Sequence, residues 1–137
     1  MCSSDLVPLF RHLVQTGAWW DFVDEIASHR IGEILRAHPR SEPDRMREWA
    51  RDPNLWVRRT AILSQLSSKD QTDRQLLLDV TEPNVGDPEF FIRKAIGWSL
   101  REYAHVGPEA GAWVREVVDR YGERLSPLSR REALKNL

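Results

Sequence analysis

Two adjacent tryptophans and two carboxylates lie close together in the stretch from Trp19 to Asp24, which also contains Asp21. On a helix, residues four apart lie one turn apart on the same face, as Trp20 and Asp24 would. A tryptophan face attracts cations, and a neighbouring carboxylate adds a negative charge. The stretch therefore predicts a site for a cationic, planar ligand. The alternative is that the tryptophans pack in the core while the aspartates cap a helix or face solvent.

A second pattern is a basic doublet that recurs along the chain at Arg58-Arg59, Arg93-Lys94 and Arg130-Arg131. The first two doublets follow Asp52-Pro53 and Asp87-Pro88 at the same spacing, which gives a shift of 35 residues. The third lies 37 residues beyond the second. Stacked on one another, the doublets would form a basic stripe that binds phosphates. The alternative is a set of ion pairs with neighbouring carboxylates.

These residues must be positioned by helices, because apolar residues recur at the i, i+3, i+4 spacing along most of the chain. Gly, Pro and Asp residues separate the periodic segments. The pattern predicts helices over residues 5–16, 19–37 with a break near His29-Arg30, 42–50, 55–66, 72–81, 90–101 and 108–124, and a last helix that continues to Leu137.

A helix, a turn and a second helix that recur every 35–37 residues are typical of an α-solenoid, because each pair buries its apolar face only by stacking on the next. We therefore predict one all-α domain over residues 1–137. It would consist of about three to four HEAT-like antiparallel helix pairs in a right-handed superhelix. The second helices, which carry the basic doublets, would line the concave face.

Composition excludes several classes of protein. With 137 residues, 41% hydrophobic and 30% charged, the chain has the size of one domain, and it lacks an apolar run of the ~20 residues that a membrane span requires. It has no secretory signal pattern and a single cysteine, which predicts a cytoplasmic protein. Cys and His residues do not show zinc-site spacing, so we predict neither metal nor cofactor. His12, His29, His38 and His105 are interpreted as surface or packing residues.

The net charge is −1, so overall charge does not indicate a nucleic-acid-binding protein. The 20 basic residues, however, comprise 17 arginines and three lysines. Arginine is the better residue for bidentate phosphate contacts and for stacking, although high-GC coding would give the same bias. The chain also has six tryptophans, more than a small core hides, so some are expected to line a groove.

Four motifs together resemble the AlkD-like DNA alkylation repair family, whose HEAT-like repeats carry glycosylases for N3- and N7-alkylated purines. They are Trp-Trp-Asp-Phe-Val-Asp at 19–24, Asn-Leu-Trp-Val-Arg-Arg-Thr-Ala-Ile-Leu-Ser-Gln at 54–65, Glu-Phe-Phe-Ile-Arg-Lys-Ala-Ile-Gly-Trp-Ser-Leu-Arg-Glu-Tyr at 89–103 and Leu-Ser-Pro-Leu-Ser-Arg-Arg-Glu-Ala-Leu at 125–134. The resemblance covers almost the whole chain.

The resemblance implies roles for individual residues. Trp20 and Trp98 match the tryptophans that line the family's catalytic cleft, and Asp24 matches its catalytic carboxylate. Arg59 matches the arginine that contacts the DNA backbone beside the lesion. The repeat argument adds further candidates for backbone contact, namely Arg58, Arg93, Lys94, Arg130 and Arg131.

The implied substrate is double-stranded DNA that contains alkylated purines. Members of the family usually carry further helices before the double tryptophan, so the chain resembles a C-terminal portion of the fold. A bacterial-type, nucleoid-associated monomer is expected, with self-association through an exposed first helix as the alternative. Two other functions remain open. One is a HEAT-like module that binds DNA damage or DNA shape without catalysis, and the other is a protein-interaction solenoid.

Overall fold

The computed structural model describes residues 6–17, 24 and 26–137, and within these ranges the chain forms eight α-helices. They are α1 Val7–Gly17, α2 Gly32–Ala37, α3 Glu42–Trp49, α4 Leu55–Ile62, α5 Arg74–Thr81, α6 Phe90–Ala104, α7 Pro108–Tyr121 and α8 Pro127–Ala133. A π-helical segment, Ile26–Ile31, leads into α2. No strand occurs in the described ranges, and none of their helices is long and apolar enough to cross a membrane.

The helices stack in two layers. The second helices of successive pairs pack on one another in order, α4 on α6 and α6 on α8, while α3 packs on α5 in the other layer. Fully buried Ile92, Ile96 and Leu100 of α6 lie in the larger apolar cluster, which α7 and α8 complete. The predicted all-α solenoid is confirmed, because consecutive pairs repeat the same packing.

The turns before α4 and α6 repeat the same local structure. The Asp52 carboxylate accepts the backbone N–H of Asn54 at 2.9 Å, and the Asp87 carboxylate accepts that of Glu89 at 2.8 Å. Both are Asx turns, in which the aspartate side chain takes the place of a backbone acceptor. Asn54 then caps α4 through the N–H groups of Trp56 and Val57. The 35-residue shift is therefore a structural repeat as well as a sequence repeat.

Gly97 brings α8 unusually close to α6. A Cβ at this position would lie 2.5 Å from the Cβ of Glu132 and 3.0 Å from the carbonyl oxygen of Ser129. The Ser129 hydroxyl in turn donates to the carbonyl of Arg93 at 2.7 Å. The small residue lets the two backbones approach, and that approach places Glu132 next to the basic residues of α6.

The largest differences between predicted and observed helix ends, four residues each, occur in two places. The helix that begins at Leu55 ends at Ile62 rather than Leu66, because the following turns carry Ser64, Gln65 and Ser68 inward. The last helix ends at Ala133, and Asn136 has a positive φ of 58°. The prediction that the chain stops inside a helix is therefore wrong. The predicted break near His29-Arg30 coincides with the π-helical segment.

Candidate active site

The buried ion pair between Asp24 and Arg59 is the centre of the candidate site. Arg59 donates its Nε to Oδ1 of Asp24 at 2.9 Å and its Nη2 to Oδ2 at 3.1 Å. This bidentate geometry holds a carboxylate in one orientation more firmly than a single hydrogen bond does. The exposed fractions are 9% for Asp24 and 3% for Arg59. The pair joins the region before the π-helical segment to α4.

The third donor group of Arg59 connects the pair to α6. Its Nη1 donates to the carbonyl oxygen of Phe91 in the first turn of that helix. The guanidinium carbon also lies 5.8 Å from the centre of the Phe91 ring, and that ring contacts Trp56 with 5.1 Å between centroids. The guanidinium thus makes hydrogen bonds to two residues and lies near the Phe91 ring. Three separate chain segments converge on one arginine.

Asp24 keeps some capacity to act on a ligand. Each carboxylate oxygen accepts about two hydrogen bonds, and Arg59 uses one at each oxygen. The backbone carbonyl of Asp24 accepts the hydroxyl of Ser28 at 2.8 Å, which ties the residue to the π-helical segment. π-helical turns often occur at functional sites. Among the contacts with described residues, one lone pair on each oxygen remains for a water molecule or a positively charged atom.

Of the two predicted cleft tryptophans, Trp98 lies within the described residues. Trp98 lies on α6, seven residues and therefore about 10 Å along the helix axis from Phe91. Its side chain is half-buried and packs against the larger apolar cluster. Trp20 lies outside the described residues, as do Trp19, Asp21 and Phe22. The described residues therefore bring Asp24 and Arg59 together, with α6 beside them, and the roles of the tryptophans stay predictions.

Besides Arg59, two of the basic doublet residues form ion pairs between repeats. Arg58 donates its Nη2 to Asp87 at 3.0 Å, and its Nη1 to the carbonyls of Asp52 and Pro53. Lys94 donates to Glu132 at 2.8 Å, and the same carboxylate accepts from Arg101 at 3.1 Å. Both residues match the ion-pair alternative that the sequence left open. Their DNA contacts stay predictions, and a phosphate would have to compete with these carboxylates.

The other doublet residues are used differently. Arg130 donates to the carbonyl oxygen of Gly122. Arg131 is exposed and makes no ion pair with the described part of the chain. Arg93 is half-buried, and its Nε has no hydrogen-bond partner although that atom is buried. The doublets are therefore equivalent in sequence but not in their partners.

Three functional features were not predicted from the sequence. They are the carbonyl of Phe91 as an acceptor for Arg59, the pairing of Arg58 with Asp87, and the position of Glu132 between Lys94 and Arg101. The Arg58–Asp87 pair had a usable signal, because Asp87 opens the repeat that follows Arg58. The other two depend on backbone approach between helices.

Within the described ranges, no group of three or more His, Cys, Asp or Glu side chains is placed to hold a metal ion.

The sequence and the fold of this chain are similar to those of known proteins. A family model described as DNA alkylation repair enzyme matches residues 2–137. The chain belongs to this family. A solved structure described as a predicted DNA alkylation repair enzyme from Enterococcus faecalis is similar, with 36% identity and a TM-score of 0.85. The similarity covers 98% of this chain and 61% of that structure. A search of curated proteins gave no match.

Membership of the family confirms the resemblance drawn from the four motifs. The TM-score also agrees with the helical solenoid described above. The chain spans about three-fifths of the length of that solved structure.

Proposed function

We propose that this chain is the catalytic part of a DNA glycosylase that removes cationic N3- and N7-alkylated purines from duplex DNA. The single observation that carries the proposal is the buried Asp24 carboxylate, oriented by two hydrogen bonds from Arg59, in a member of the DNA alkylation repair family. A buried carboxylate held in this way is costly for a purely structural element. It is useful where positive charge develops.

The chemistry of the substrate requires little more than such a group. An alkylated purine that carries a positive charge is already a good leaving group, because the departing base becomes neutral when the N-glycosidic bond breaks. The sugar then carries oxocarbenium-like positive charge. The Asp24 carboxylate stabilises that charge, and its free lone pairs orient a water molecule for addition to the sugar carbon. No strong general acid is required.

Arg59 has a positioning role in this proposal. Its three donors are used by Asp24 and by the Phe91 carbonyl, and its side chain is buried. It therefore sets the direction of the carboxylate lone pairs toward the substrate. The backbone contact predicted for Arg59 would require it to leave one of these partners. Trp20 and Trp98 are proposed to bind the cationic base or sugar through their ring faces.

A second candidate is a non-catalytic module that binds damaged or distorted DNA. The hydrogen bonding of Asp24 favours this non-catalytic module, because both carboxylate oxygens already accept from Arg59. The two functions differ in one observable. The module binds duplex DNA with a strong dependence on salt but releases no base.

The test is base release from duplex DNA treated with a methylating agent. We expect the purified chain to release 7-methylguanine or 3-methyladenine and Asp24→Asn to do so at least about 100-fold more slowly, since the loss of one preorganised charge typically costs that much. Arg59→Lys is the control, because it keeps the positive charge and loses the bidentate geometry.

Arg59→Lys is expected to fall between the wild type and Asp24→Asn. Circular dichroism melts would establish that each variant is folded at the assay temperature. Full activity of a folded Asp24→Asn would remove the role of Asp24. Salt-dependent duplex binding by a wild type that releases no base would support the non-catalytic module instead.

A further inference from the structure

The three turns that precede α4, α6 and α8 correspond by repeat register, and they differ at one decisive position. Asp52 opens the first turn and Asp87 the second, whereas Arg124 stands 37 residues beyond Asp87 in the third. This is the same 37-residue shift that relates Arg93 to Arg130. A carboxylate in two repeats is thus replaced by a guanidinium in the next.

This replacement removes the partner that the repeat would supply to Arg93. In the preceding repeat, Arg58 of α4 donates to Asp87 in the turn of the next repeat at 3.0 Å. Arg93 is the equivalent residue of α6, and the equivalent position of the next turn is Arg124. Arg93 makes no ion pair with the described residues. The Nε of both arginines is buried without a hydrogen-bond partner, so the two differ in the ion pair that Arg58 makes with Asp87 through Nη2. A half-buried guanidinium without a counter-ion has unsatisfied donors, and an external acceptor would satisfy them.

A cavity lies between these two arginines. Arg93 and Arg124 line it together with Gly86, Asp87 and Ser126. Arg124 makes an ion pair with Glu82, and its guanidinium carbon lies 5.6 Å from the centre of the Tyr121 ring. Arginine stays protonated in proteins, so this side chain is a permanent cation.

The charges around the cavity leave a net positive charge. Asp87 is matched by Arg58, and Glu82 is matched by Arg124. Arg93 has no counter-ion in the described part of the chain. An oxyanion with several acceptor oxygens would satisfy the Arg93 Nε and interact with Arg124 at the same time, because guanidinium groups bind phosphate through parallel donors.

We propose that Arg93 and Arg124 form a binding site for one phosphodiester group of the DNA backbone, built where the repeat lacks its turn aspartate. The occupant rests on the proposed function, and Arg93 lies in the first turn of α6, the helix whose Phe91 carbonyl accepts from Arg59. Because α6 also borders the candidate active site, this backbone phosphate would bind at the start of the same helix.

The first experiment tests the site without DNA. Arginine Nε–H signals of the ¹⁵N-labelled wild type are followed while inorganic phosphate replaces chloride at constant ionic strength. We expect the Arg93 signal, identified by its loss in Arg93→Gln, to shift and saturate, and the Arg58 signal to stay in place. Absence of a saturable shift at Arg93 would overturn the site, whatever the protein does with DNA.

The second experiment tests the occupant. The dependence of duplex binding on salt is measured for the wild type, Arg93→Gln and Arg115→Gln. Loss of one phosphate contact lowers the slope of log K against log salt by about 0.9, which we expect for Arg93→Gln. Arg115→Gln, which removes the same charge from an exposed position on α7, is expected to keep the wild-type slope. An unchanged slope in Arg93→Gln would overturn the phosphodiester as occupant.

A third measurement separates binding from a structural role. Arg93→Gln is expected to unfold at the same denaturant concentration as the wild type or at a higher one, because an unpartnered cation is removed. Arg58→Gln, at the equivalent position of the previous repeat, is expected to unfold earlier because it loses Asp87. Equal destabilisation by both variants would make Arg93 structural and overturn the site. If the wild type binds no duplex at any salt, the proposed function fails, and the phosphate titration still decides the site.

Discussion

At the scale of single residues, the partner of each arginine determines what that arginine does. Arg59 is buried and uses three donor groups inside the protein, whereas its neighbour Arg58 connects two repeats through Asp87. Arg131 faces solvent. A charged residue at an equivalent repeat position is therefore not an equivalent functional group, because burial and local acceptors set the cost of its charge.

The Asp24–Arg59 pair makes a stability prediction at this scale. Arg59→Met leaves a buried carboxylate without its partner, which typically costs about 3–5 kcal/mol of unfolding free energy. The double variant Asp24→Leu with Arg59→Met removes both charges and is expected to cost less than the sum of the two single variants. Urea unfolding of the three variants measures this. Strict additivity would mean that the two side chains do not interact in solution.

At the scale of the helices, one glycine sets the distance between α6 and α8. The approach at Gly97 brings Glu132 within hydrogen-bond distance of Lys94 and Arg101, on either side of Trp98 along α6. Helix packing therefore determines the charge around a residue that the resemblance assigns to the cleft. The sequence pattern of α6 shows the basic residues but not the carboxylate between them.

Gly97→Ala is expected to separate these helices. The added Cβ would lie 2.5 Å from a Cβ and 3.0 Å from a backbone oxygen, neither of which moves freely. Overpacking of this kind costs about 1–3 kcal/mol, and the better helix propensity of alanine recovers about 1 kcal/mol. Gly86→Ala is the matched control, because a Cβ there meets nothing within 4 Å. A midpoint of Gly97→Ala above that of the wild type would contradict the close contact, because an alanine without the clash would only add helix propensity.

At the scale of the whole molecule, carboxylates join elements that are distant in sequence. Asp52 pairs with Arg11 of α1, and Asp79 of α5 pairs with Arg47 of α3. Burial alone would raise the pKa of Asp52. Hydrogen bonds from the Asn54 N–H and from Arg11 lower this pKa by a larger amount, so that it lies below its ordinary value. For Asp79, burial is likewise outweighed by hydrogen bonds from Arg47 and Gln75, and its pKa is also lowered.

Glu132 is a third carboxylate with a lowered pKa, and the main cause is its hydrogen bond with Lys94. A carboxylate whose pKa is lower in the folded state than in the unfolded state stabilises the fold at pH values above its unfolded pKa. This contribution is lost as the pH falls through the pKa of the folded state. The solenoid should therefore lose stability from about pH 4 downward, the ordinary range of Asp and Glu.

Chemical unfolding at pH 7 and at pH 3 tests this expectation. The difference between the two pH values is expected to be smaller for Glu132→Gln than for the wild type, because one of the contributing carboxylates is absent. Glu116→Gln, at an exposed position on α7, is expected to keep the wild-type difference. A Glu132→Gln variant with the full wild-type difference would show that the Lys94–Glu132 contact does not contribute in solution.

The linear sequence was enough to predict the helices, the repeat and the family, because these depend on local periodicity, on turn residues such as Asp52 and Asp87, and on motif order. The fold brought together what the sequence holds far apart: Asp24 and Arg59 are 35 residues distant, and Glu132 is 38 from Lys94. Side-chain periodicity determines the face of a helix, whereas the distances between helices determine which charges meet. That is why three basic doublets of one pattern divide into internal ion pairs, exposed side chains and a guanidinium without a partner.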